Sequence, residues 1–461
     1  MQAIWRPAVP GLPVPDSSIF IATSISVFFG IVLTALFGDV VLIILVLGLN
    51  YAPERIGIAV YTSGMAQALA AQGHDVSVVA GRPYYPNWRV FDADYGHWDE
   101  QSMEQGVSVR RVWHYVPAHP SGLKRLLHHA SFALSALIPL LWLALCKRPD
   151  VVLTVAPSLV AAPVAWLAAR LAGAKAWLHV QDLEVDTAFA TGLLAPDGAA
   201  GRVALGFERL VMRRFDMVSG ISPQICARLV GKGVERDRVV EFRNWADVDM
   251  VRPLVAVSPY RAEWGITTPQ VALYAGNIGI KQGLEVVIAA ARLLAHRDDL
   301  SFVICGEGPN RARLEQMAAG LGRVQFRDLQ PRDRLDQLMG LATIHLLPQM
   351  AGVADLVLPS KLNNMLASGR PIVAAAAEGT GLWTEVEGCG VTVAPGDAAA
   401  FAAGIERLAT DPELAAGAGR NARARAEQRW SKARIMADFE QRLGEAGVQT
   451  APAGARSLDA Q

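Results

Sequence analysis

Cysteine is scarce in this chain of 461 residues, and net charge is absent. The four cysteines (Cys146, Cys226, Cys305 and Cys389) stand far apart and form no C-x-x-C pair. This excludes a disulfide framework or a cysteine zinc site and fits a reducing compartment. Because 43 basic residues balance 43 acidic ones, the composition argues against bulk binding of nucleic acid. Hydrophobic residues make up 52% of the chain and charged residues 19%, which excludes extended disorder over most of its length.

The N-terminal segment is apolar. From Ser17 to Gly38, 22 residues carry no formal charge, and about 20 apolar residues are enough to cross a bilayer. Three interpretations of residues 1–38 are open: a membrane anchor, an extension from a mis-assigned start, or a helix packed on the soluble body.

Beyond Asp39, short apolar runs alternate with helical patterns, which is typical of β-α-β units and a mainly parallel sheet. The pattern runs twice, and a proline-containing stretch from Asp247 to Pro269 separates the two halves. We therefore predict an α/β fold of two Rossmann-like, doubly wound domains that face each other across a cleft. The expected domains span residues 39–250 and 251–430, and a cross-over helix and tail follow over residues 431–461.

Three loops of the second half suit an anionic ligand, because loops at the carboxyl ends of parallel strands lead into helix N-termini. The loop from Gly276 to Gly283 combines glycines with Lys281, although that lysine is also compatible with a solvated helix start. The segment Cys305–Pro309 holds a G-x-G without the third glycine of a dinucleotide fingerprint, which disfavours nicotinamide chemistry. In the third loop, Ser360 is a good N-cap and Lys361 adds a second ammonium. The two lysines together form a plausible clamp for a diphosphate.

Two loops of the first half are further candidates. Gly57 could let the backbone approach a phosphate or a sugar, although an ordinary turn explains it equally. The segment His179–Asp186 leaves a strand with one imidazole and three carboxylates, which suits acid–base work or sugar binding. Acidic residues at a plain helix N-terminus would look the same.

Seven segments stand out together, in this order along the chain: NYAPE…G (50–57), HVQDLEVD (179–186), RNWADVD (243–249), YAGNIGIKQGL (274–284), CGEGP (305–309), LPSKLNNMLASGRPIVA (358–374) and VAPGD (393–397). Together they resemble the retaining GT-B glycosyltransferases of family four, and more closely the fucosyl- and N-acetylfucosaminyl-type transferases of colanic acid and O-antigen assembly. The resemblance runs in order from about residue 41 to residue 440.

The resemblance implies roles for individual residues. The nucleotide diphosphate would be held by Lys281, Lys361 and Ser360, and Gly57 would face it from the first half. The base pocket would be lined by Gly306, Glu307 and Gly308. We expect Asp182 to act near the acceptor hydroxyl as a base or an orienting group, with His179 and Lys281 as the other catalytic candidates.

The chain departs from the family pattern at three places. Many members carry an E-x7-E pair, whereas here the two positions are Leu356 and Asn364; an asparagine amide could still bond the donor ribose. Gln181 precedes Asp182 where members often have His-Asp, and Asn277 stands where an arginine commonly precedes the phosphate lysine.

The expected activity is transfer of a sugar from a nucleotide-diphosphate donor to a lipid-linked glycan acceptor, with retention of configuration, in bacterial surface polysaccharide biosynthesis. We expect no metal and no cofactor, since the nucleotide sugar is a co-substrate, and no nucleic-acid partner. Basic residues around the apolar stretch Ser131–Cys146 favour the cytoplasmic face of the inner membrane, with peripheral or single-pass attachment; a buried core helix is the alternative for that stretch. A nucleotide-sugar 2-epimerase and an inactive nucleotide-sugar-binding subunit are the competing functions.

Overall fold

The structure is a computed structural model that describes residues 41–54, 57–91, 95, 99–190, 193–246, 248–350, 359 and 361–448. The predictions for residues 1–38, Asp247 and Ser360 lie outside these residues. The elements below all belong to the unit from Leu42 to Gln461.

Eight strands form a sheet in the first half of the chain. They are β1 (Ile43–Gly48), β2 (Asp75–Gly81), β3 (Asp99–Glu104), β4 (Val107–Val112), β5 (Val151–Ala156), β6 (Lys175–Val180), β7 (Met217–Gly220) and β8 (Val239–Glu241). Their order is β3-β4-β2-β1-β5-β6-β7-β8, and every neighbouring pair is parallel except β3 and β4. All residues of the central strand β5 are buried, as expected for a parallel sheet covered on both faces.

Six strands form a second, wholly parallel sheet. They are β9 (Gln270–Ala275), β10 (Leu300–Cys305), β11 (Val324–Arg327), β12 (Ile344–Leu347), β13 (Ile372–Ala375) and β14 (Gly390–Val393), in the order β11-β10-β9-β12-β13-β14. The prediction of two doubly wound α/β sheets is confirmed. We call the first sheet with its helices the first lobe, and the second sheet with its helices the second lobe.

Helices connect the parallel strands and cover both sheets. In the first lobe they are α1 (Ile58–Ala71), α2 (Gly122–Lys147), α3 (Ala162–Ala172), α4 (Glu184–Ala190), α5 (Ala199–Met212) and α6 (Pro223–Gly231). The next nine are α7 (Tyr260–Glu263), α8 (Glu285–Leu293), α9 (Arg311–Met317), α10 (Leu335–Leu341), α11 (Lys361–Ala367), α12 (Gly381–Val386), α13 (Ala398–Thr410), α14 (Pro412–Arg425) and α15 (Lys432–Val448).

The strand order reverses direction once in each lobe. In the first lobe β1 lies between β2 and β5, and in the second lobe β9 lies between β10 and β12. At such a reversal the loops that follow the two strands turn to opposite sides and leave a crevice, which is where open α/β sheets bind ligands. The topology therefore directs attention to the loops after β1 and β9.

The last helix, α15, packs on the first lobe, although it follows the second lobe in sequence. The ring of Phe439 stacks on Phe242 with 3.9 Å between centroids and meets Trp177 edge-on at 5.2 Å. These residues belong to one buried hydrophobic cluster, which also includes residues of β1.

Helix α2 is apolar on both of its faces. Phe132, Ala136 and Leu140 are fully buried, whereas Leu134 and Ile138 are 72% and 77% exposed. Among the helices in the described part of the chain, α2 alone has the length and the apolar composition of a membrane span, a test that the core helix of a soluble protein also passes.

Candidate active site

The loops after β9 and β10 lie against each other at the carboxyl edge of the second sheet. The amide of Ile278 donates to the carbonyl of Glu307 at 2.7 Å. A Cβ atom at Gly306 would lie 2.0 Å from the carbonyl oxygen of Gly276, and one at Gly308 would lie 2.3 Å from that of Ile278. Both glycines are required, because any side chain would separate the two loops.

Lys361 begins α11 and reaches the loop after β9. Its ammonium lies over the ring of Tyr274, 4.3 Å from the centroid, and donates to the Tyr274 hydroxyl and, at 3.3 Å, to the Asn277 carbonyl. The Tyr274 hydroxyl in turn donates to the same carbonyl at 2.5 Å. Since an ammonium has three N–H donors, one remains for a ligand as far as the described residues are concerned. Burial lowers the pKa of Lys361 to about 8.

Lys281 lies on the short 3-10 turn Ile280–Gln282, within the same loop. Its side chain is exposed, and in the described part of the chain its ammonium has no hydrogen-bond partner. The two predicted lysines are therefore associated with one loop: Lys281 stands within it, and Lys361 bonds its carbonyl at Asn277.

Asp182 follows β6 in the first lobe and precedes α4. Burial raises the pKa of its carboxyl, while a hydrogen bond from the Thr187 hydroxyl at 3.1 Å and the charge of Lys281 act in the opposite direction. An electrostatic interaction thus links Asp182 of one lobe with Lys281 of the other.

The neighbouring carboxylates have structural partners. Glu184 accepts from the backbone amides of Ser158 and, at 2.8 Å, Leu159, so it ties the loop after β5 to α4. Asp186 accepts from the ammonium of Lys232 at 2.8 Å. Of the three carboxylates predicted in this segment, Asp182 is therefore the one that the structure leaves for a ligand or a substrate.

His179 lies in the core. It is 2% exposed, its Nδ1 lies 2.9 Å from the Ser219 hydroxyl, and its ring packs on Phe242 with 4.8 Å between centroids. Burial lowers its pKa to about 3, so the imidazole is neutral. A side chain in this position cannot contact a substrate, and we correct the catalytic prediction by leaving His179 out of the candidate site.

The loop after β1 is fixed by a carboxylate that the sequence did not single out. Glu54 is 4% exposed and accepts from the amides of Tyr84 and Tyr85 at 2.8 and 2.9 Å and from the Asn50 side chain at 2.9 Å. Gly57, which caps α1, has φ +67° and is exposed, and a Cβ atom at this position would meet no other atom within 4 Å. The requirement for glycine there comes from the backbone conformation.

The remaining predicted donor residues surround the same edge. Glu307 is exposed and pairs with Arg311 at 3.0 Å, and Asn364 is half-buried on α11. Among the residues that the structure describes, no group of three or more His, Cys, Asp or Glu side chains could hold a metal ion.

The structure brings Asn277, Lys281, Lys361, Gly306 and Gly308 together in the second lobe. Tyr274 joins them and was missed by the sequence reasoning.

Comparison with known proteins agrees with this division into two lobes. Residues 57–245 match the family described as "Glycosyl transferase 4-like domain", and residues 258–425 match "Glycosyl transferases group 1". The chain is 42% identical over 386 residues to the putative colanic acid biosynthesis glycosyl transferase WcaI of Escherichia coli K12, covering 80% of this chain and 93% of that protein.

Solved structures show the same fold at low identity. WaaG, a glycosyltransferase involved in lipopolysaccharide biosynthesis, superposes with a TM-score of 0.60 at 17% identity, covering 87% of this chain and 99% of that one. Anabaena HepE in complex with UDP superposes with a TM-score of 0.65 at 18% identity, covering 87% of this chain and 100% of that one.

Proposed function

The chain belongs to the group 1 glycosyltransferases and has their GT-B fold, and from this premise we propose that it transfers a sugar from a nucleotide-diphosphate donor to a lipid-linked glycan acceptor. Membership of this family favours a transferase over an epimerase or an inactive subunit. The relatives named for colanic acid and lipopolysaccharide biosynthesis support a role in bacterial surface polysaccharide assembly.

One observation carries the donor part of the proposal: Lys361 bonds the loop that contains Lys281. A diphosphate carries two or three negative charges, and backbone amides beside two ammonium groups are a favourable environment for it. The glycines at 306 and 308 keep the neighbouring loop in contact with the lysine-bearing loop.

The same groups would lower the barrier to reaction. The anomeric C–O bond of the donor breaks, and its electron pair stays on the diphosphate. Positive groups aimed at that developing charge stabilise the transition state. The acceptor hydroxyl oxygen forms the new bond on the face that the diphosphate leaves, which retains the configuration without a covalent carboxylate intermediate. Its proton passes to the departing diphosphate or to Asp182.

Asp182 suits the role of base or orienting group. It lies at the carboxyl edge of the first sheet, its pKa is raised by burial, and it interacts with Lys281 of the opposite lobe. A base with a raised pKa accepts a proton more readily at neutral pH. We propose no metal and no cofactor in this reaction.

Helix α2 supports the membrane part of the proposal. Its exposed apolar residues include Leu123, Leu134 and Ile138, and the exposed cations Lys124, Arg125 and Arg148 lie at its two ends. Apolar side chains flanked by cations suit the surface of an anionic bilayer, where a lipid-linked acceptor resides. We therefore propose peripheral attachment at the cytoplasmic face of the inner membrane.

The test has two stages. The full chain is first screened by thermal shift with UDP, GDP and their sugar conjugates, and an increase in melting temperature is expected with the nucleotides of one base only. The nucleotide sugar found is then incubated with lipid extract, and the anomeric configuration of the product is determined by NMR. Inversion would contradict the retaining mechanism. Turnover confined to the nucleotide-sugar pool would contradict transfer.

A further inference from the structure

A cavity lies in the first lobe, beyond the carboxyl ends of the neighbouring strands β2 and β4. Its volume is 450 Å³, and its lining comes from the two segments that follow these strands. The lining includes Arg82, Trp88, Arg89, Trp113, His114 and Tyr115.

The cavity is positively charged. Two of the lining residues carry guanidinium groups, and none of the described residues that line it is acidic. A third guanidinium, that of Arg125, lies over the ring of Trp88 at 5.5 Å from its centroid. The buried carboxylate of Glu54 accepts from the amides of Tyr84 and Tyr85 and does not line the cavity.

Two buried donors beside the cavity lack a partner in the described part of the chain. The Arg82 amide donates to Nδ1 of His114 at 3.3 Å, so the proton of this neutral imidazole lies on Nε2. Both His114 Nε2 and Arg82 Nε are buried without a hydrogen bond among the described residues. Buried donors without acceptors are costly, so the wall beside the cavity is short of hydrogen-bond acceptors.

Aromatic rings form much of the remaining wall. Trp88 and Trp113 are half-buried, Tyr115 is exposed, and the guanidinium of Arg82 lies 5.8 Å from the Trp113 ring centroid. A flat aromatic face packs well against the C–H groups of a sugar ring, and guanidinium groups pair with phosphate oxygens through two N–H donors. The combination fits a sugar that carries a phosphate.

The position of the cavity connects it to two features described above. On one side, the Asn50 amide bonds the Tyr84 hydroxyl at 3.4 Å, which places the cavity next to the loop after β1. On the other side, the amide of Tyr115 donates to the Ser131 hydroxyl on α2 at 2.9 Å. The cavity therefore lies between the loop after β1 and the helix with the exposed apolar face.

We propose that this cavity binds the phosphate-bearing sugar of the acceptor, where the glycan joins its lipid. The assignment rests on the proposed function, because it presupposes an acceptor with a lipid phosphate. In this arrangement α2 contacts the bilayer, the cavity holds the phosphorylated sugar, and the growing end of the glycan extends toward Asp182.

The binding test uses the fluorescence of the full chain, because Trp88 and Trp113 lie in the wall. The soluble probes are glucose 1-phosphate, inorganic pyrophosphate and uncharged glucose. The lipid probes are phosphatidylcholine vesicles with and without farnesyl diphosphate. We expect saturable changes with glucose 1-phosphate and with the farnesyl diphosphate vesicles, and a loss of affinity of at least about tenfold in Arg89→Gln, since a charged hydrogen bond is removed. Arg420→Gln, an exposed arginine of the second lobe, should bind as the unaltered chain does.

Equal binding of glucose and glucose 1-phosphate would overturn the assignment, and so would undiminished binding in Arg89→Gln. A response to glucose 1-phosphate without one to farnesyl diphosphate vesicles would also overturn it, since the cavity would then bind a soluble sugar phosphate.

A kinetic test separates this inference from the proposed function. In Arg89→Gln we expect the KM for the lipid acceptor to rise at least about tenfold, with donor hydrolysis in the absence of acceptor unchanged. If the KM does not change while Lys361→Met loses donor turnover, the cavity assignment fails and the transferase proposal stands. If the unaltered chain turns over no nucleotide sugar, the proposed function fails and the assignment of the cavity to the acceptor fails with it; the binding test then shows only whether the cavity binds a sugar phosphate.

Discussion

The ammonium of Lys361 lies 4.3 Å from the centre of the Tyr274 ring and bonds the hydroxyl of that tyrosine. Eighty-six residues separate the two along the chain, and the pair places a positive charge beside the loop that holds Lys281. The first predictions follow from this contact.

Lys361→Met should lower donor turnover by about 100-fold, because one charge-stabilising donor is lost while the stem of the side chain can still pack on Tyr274. Donor hydrolysis without acceptor is the measurement. Lys175→Met is the matched control. Lys175 is the first residue of β6 and therefore lies at the amino end of that strand, away from the carboxyl edge of the first sheet. Equal rates in the two variants would contradict the assignment of Lys361 to the diphosphate.

The affinity for the donor should fall as the pH rises above about 8, where the ammonium of Lys361 loses its proton. Burial disfavours the charged form, so the pKa in the folded chain lies below its ordinary value of 10.5. The free energy of unfolding should change in the opposite direction to the affinity. Between about pH 8 and pH 10.5 Lys361 is protonated in the unfolded chain but not in the folded one, so the free energy of unfolding rises with pH. The dissociation constant of the donor is measured by equilibrium titration at a series of pH values between about pH 6.5 and pH 9.5, a range that brackets the shifted pKa. Lys361→Arg, which stays charged, should remove the decline; a decline that persists unchanged in this variant would implicate another group.

Asp182→Asn should reduce sugar transfer by about 100-fold, as expected for the loss of a general base. Activity should also fall as the pH drops through the raised pKa of Asp182, because only the ionised carboxylate accepts a proton. The Thr187 hydroxyl stabilises the ionised form, so Thr187→Val should shift the acidic limb of the kcat profile to higher pH. An acidic limb that survives in Asp182→Asn would contradict this assignment.

Gly306→Ala should destabilise the chain by about 3 kcal/mol, since the new methyl group meets a backbone carbonyl at 2.0 Å and φ is +146°. The midpoint of urea unfolding measures the loss. Gly322→Ala is the control, because nothing lies within 4 Å of that position and its φ is ordinary. If both variants unfold at the same midpoint, the two loops are not in close contact.

Leu134→Glu combined with Ile138→Glu should weaken binding to anionic vesicles by about tenfold or more, because two apolar side chains no longer enter the bilayer. Sedimentation with vesicles containing phosphatidylglycerol is the measurement, and donor hydrolysis should not change. Leu293→Glu introduces the same group at an exposed leucine of the second lobe. Should this control weaken binding equally, the effect would come from charge alone.

The fold followed closely from the sequence, because buried parallel strands are short apolar runs. The alternation of apolar runs and helical patterns beyond Asp39 predicted a mainly parallel sheet in each half of the chain, and both sheets are present. The missed strand is β3 (Asp99–Glu104), whose polar residues pair antiparallel with β4 at the sheet edge. An edge strand needs no apolar run, so the pattern carried no signal for it.

The candidate site was predictable where charged residues and glycines mark a loop. It was less predictable where the role of a residue depends on whether its side chain is buried in the core. Lys281 and Lys361 were singled out because a lysine after a strand is conspicuous, and the structure places Lys361 against the loop that holds Lys281; their role at a diphosphate stays a prediction. His179 was assigned wrongly, because nearly every position of β6 is buried and a polar residue there can belong to the core. Tyr274 was missed for a related reason: a tyrosine within a strand is typical of a core, and its contact with Lys361 depends on tertiary structure.

The start of helix α2 was also not predicted from the sequence. The apolar stretch Ser131–Cys146 was predicted, but the helix begins nine residues earlier, at Gly122. Lys124 and Arg125 therefore lie on the helix itself, where the sequence placed them ahead of it.

The stacking of Phe439 on Phe242 has a consequence for how the chain is made. The ribosome completes β8 some two hundred residues before it reaches α15. Until then, the aromatic surface around Phe242 and Trp177 has no cover from α15, and nascent chains with uncovered apolar surface are prone to aggregate. The first lobe is thus synthesised early, and it is completed only when α15 has been made.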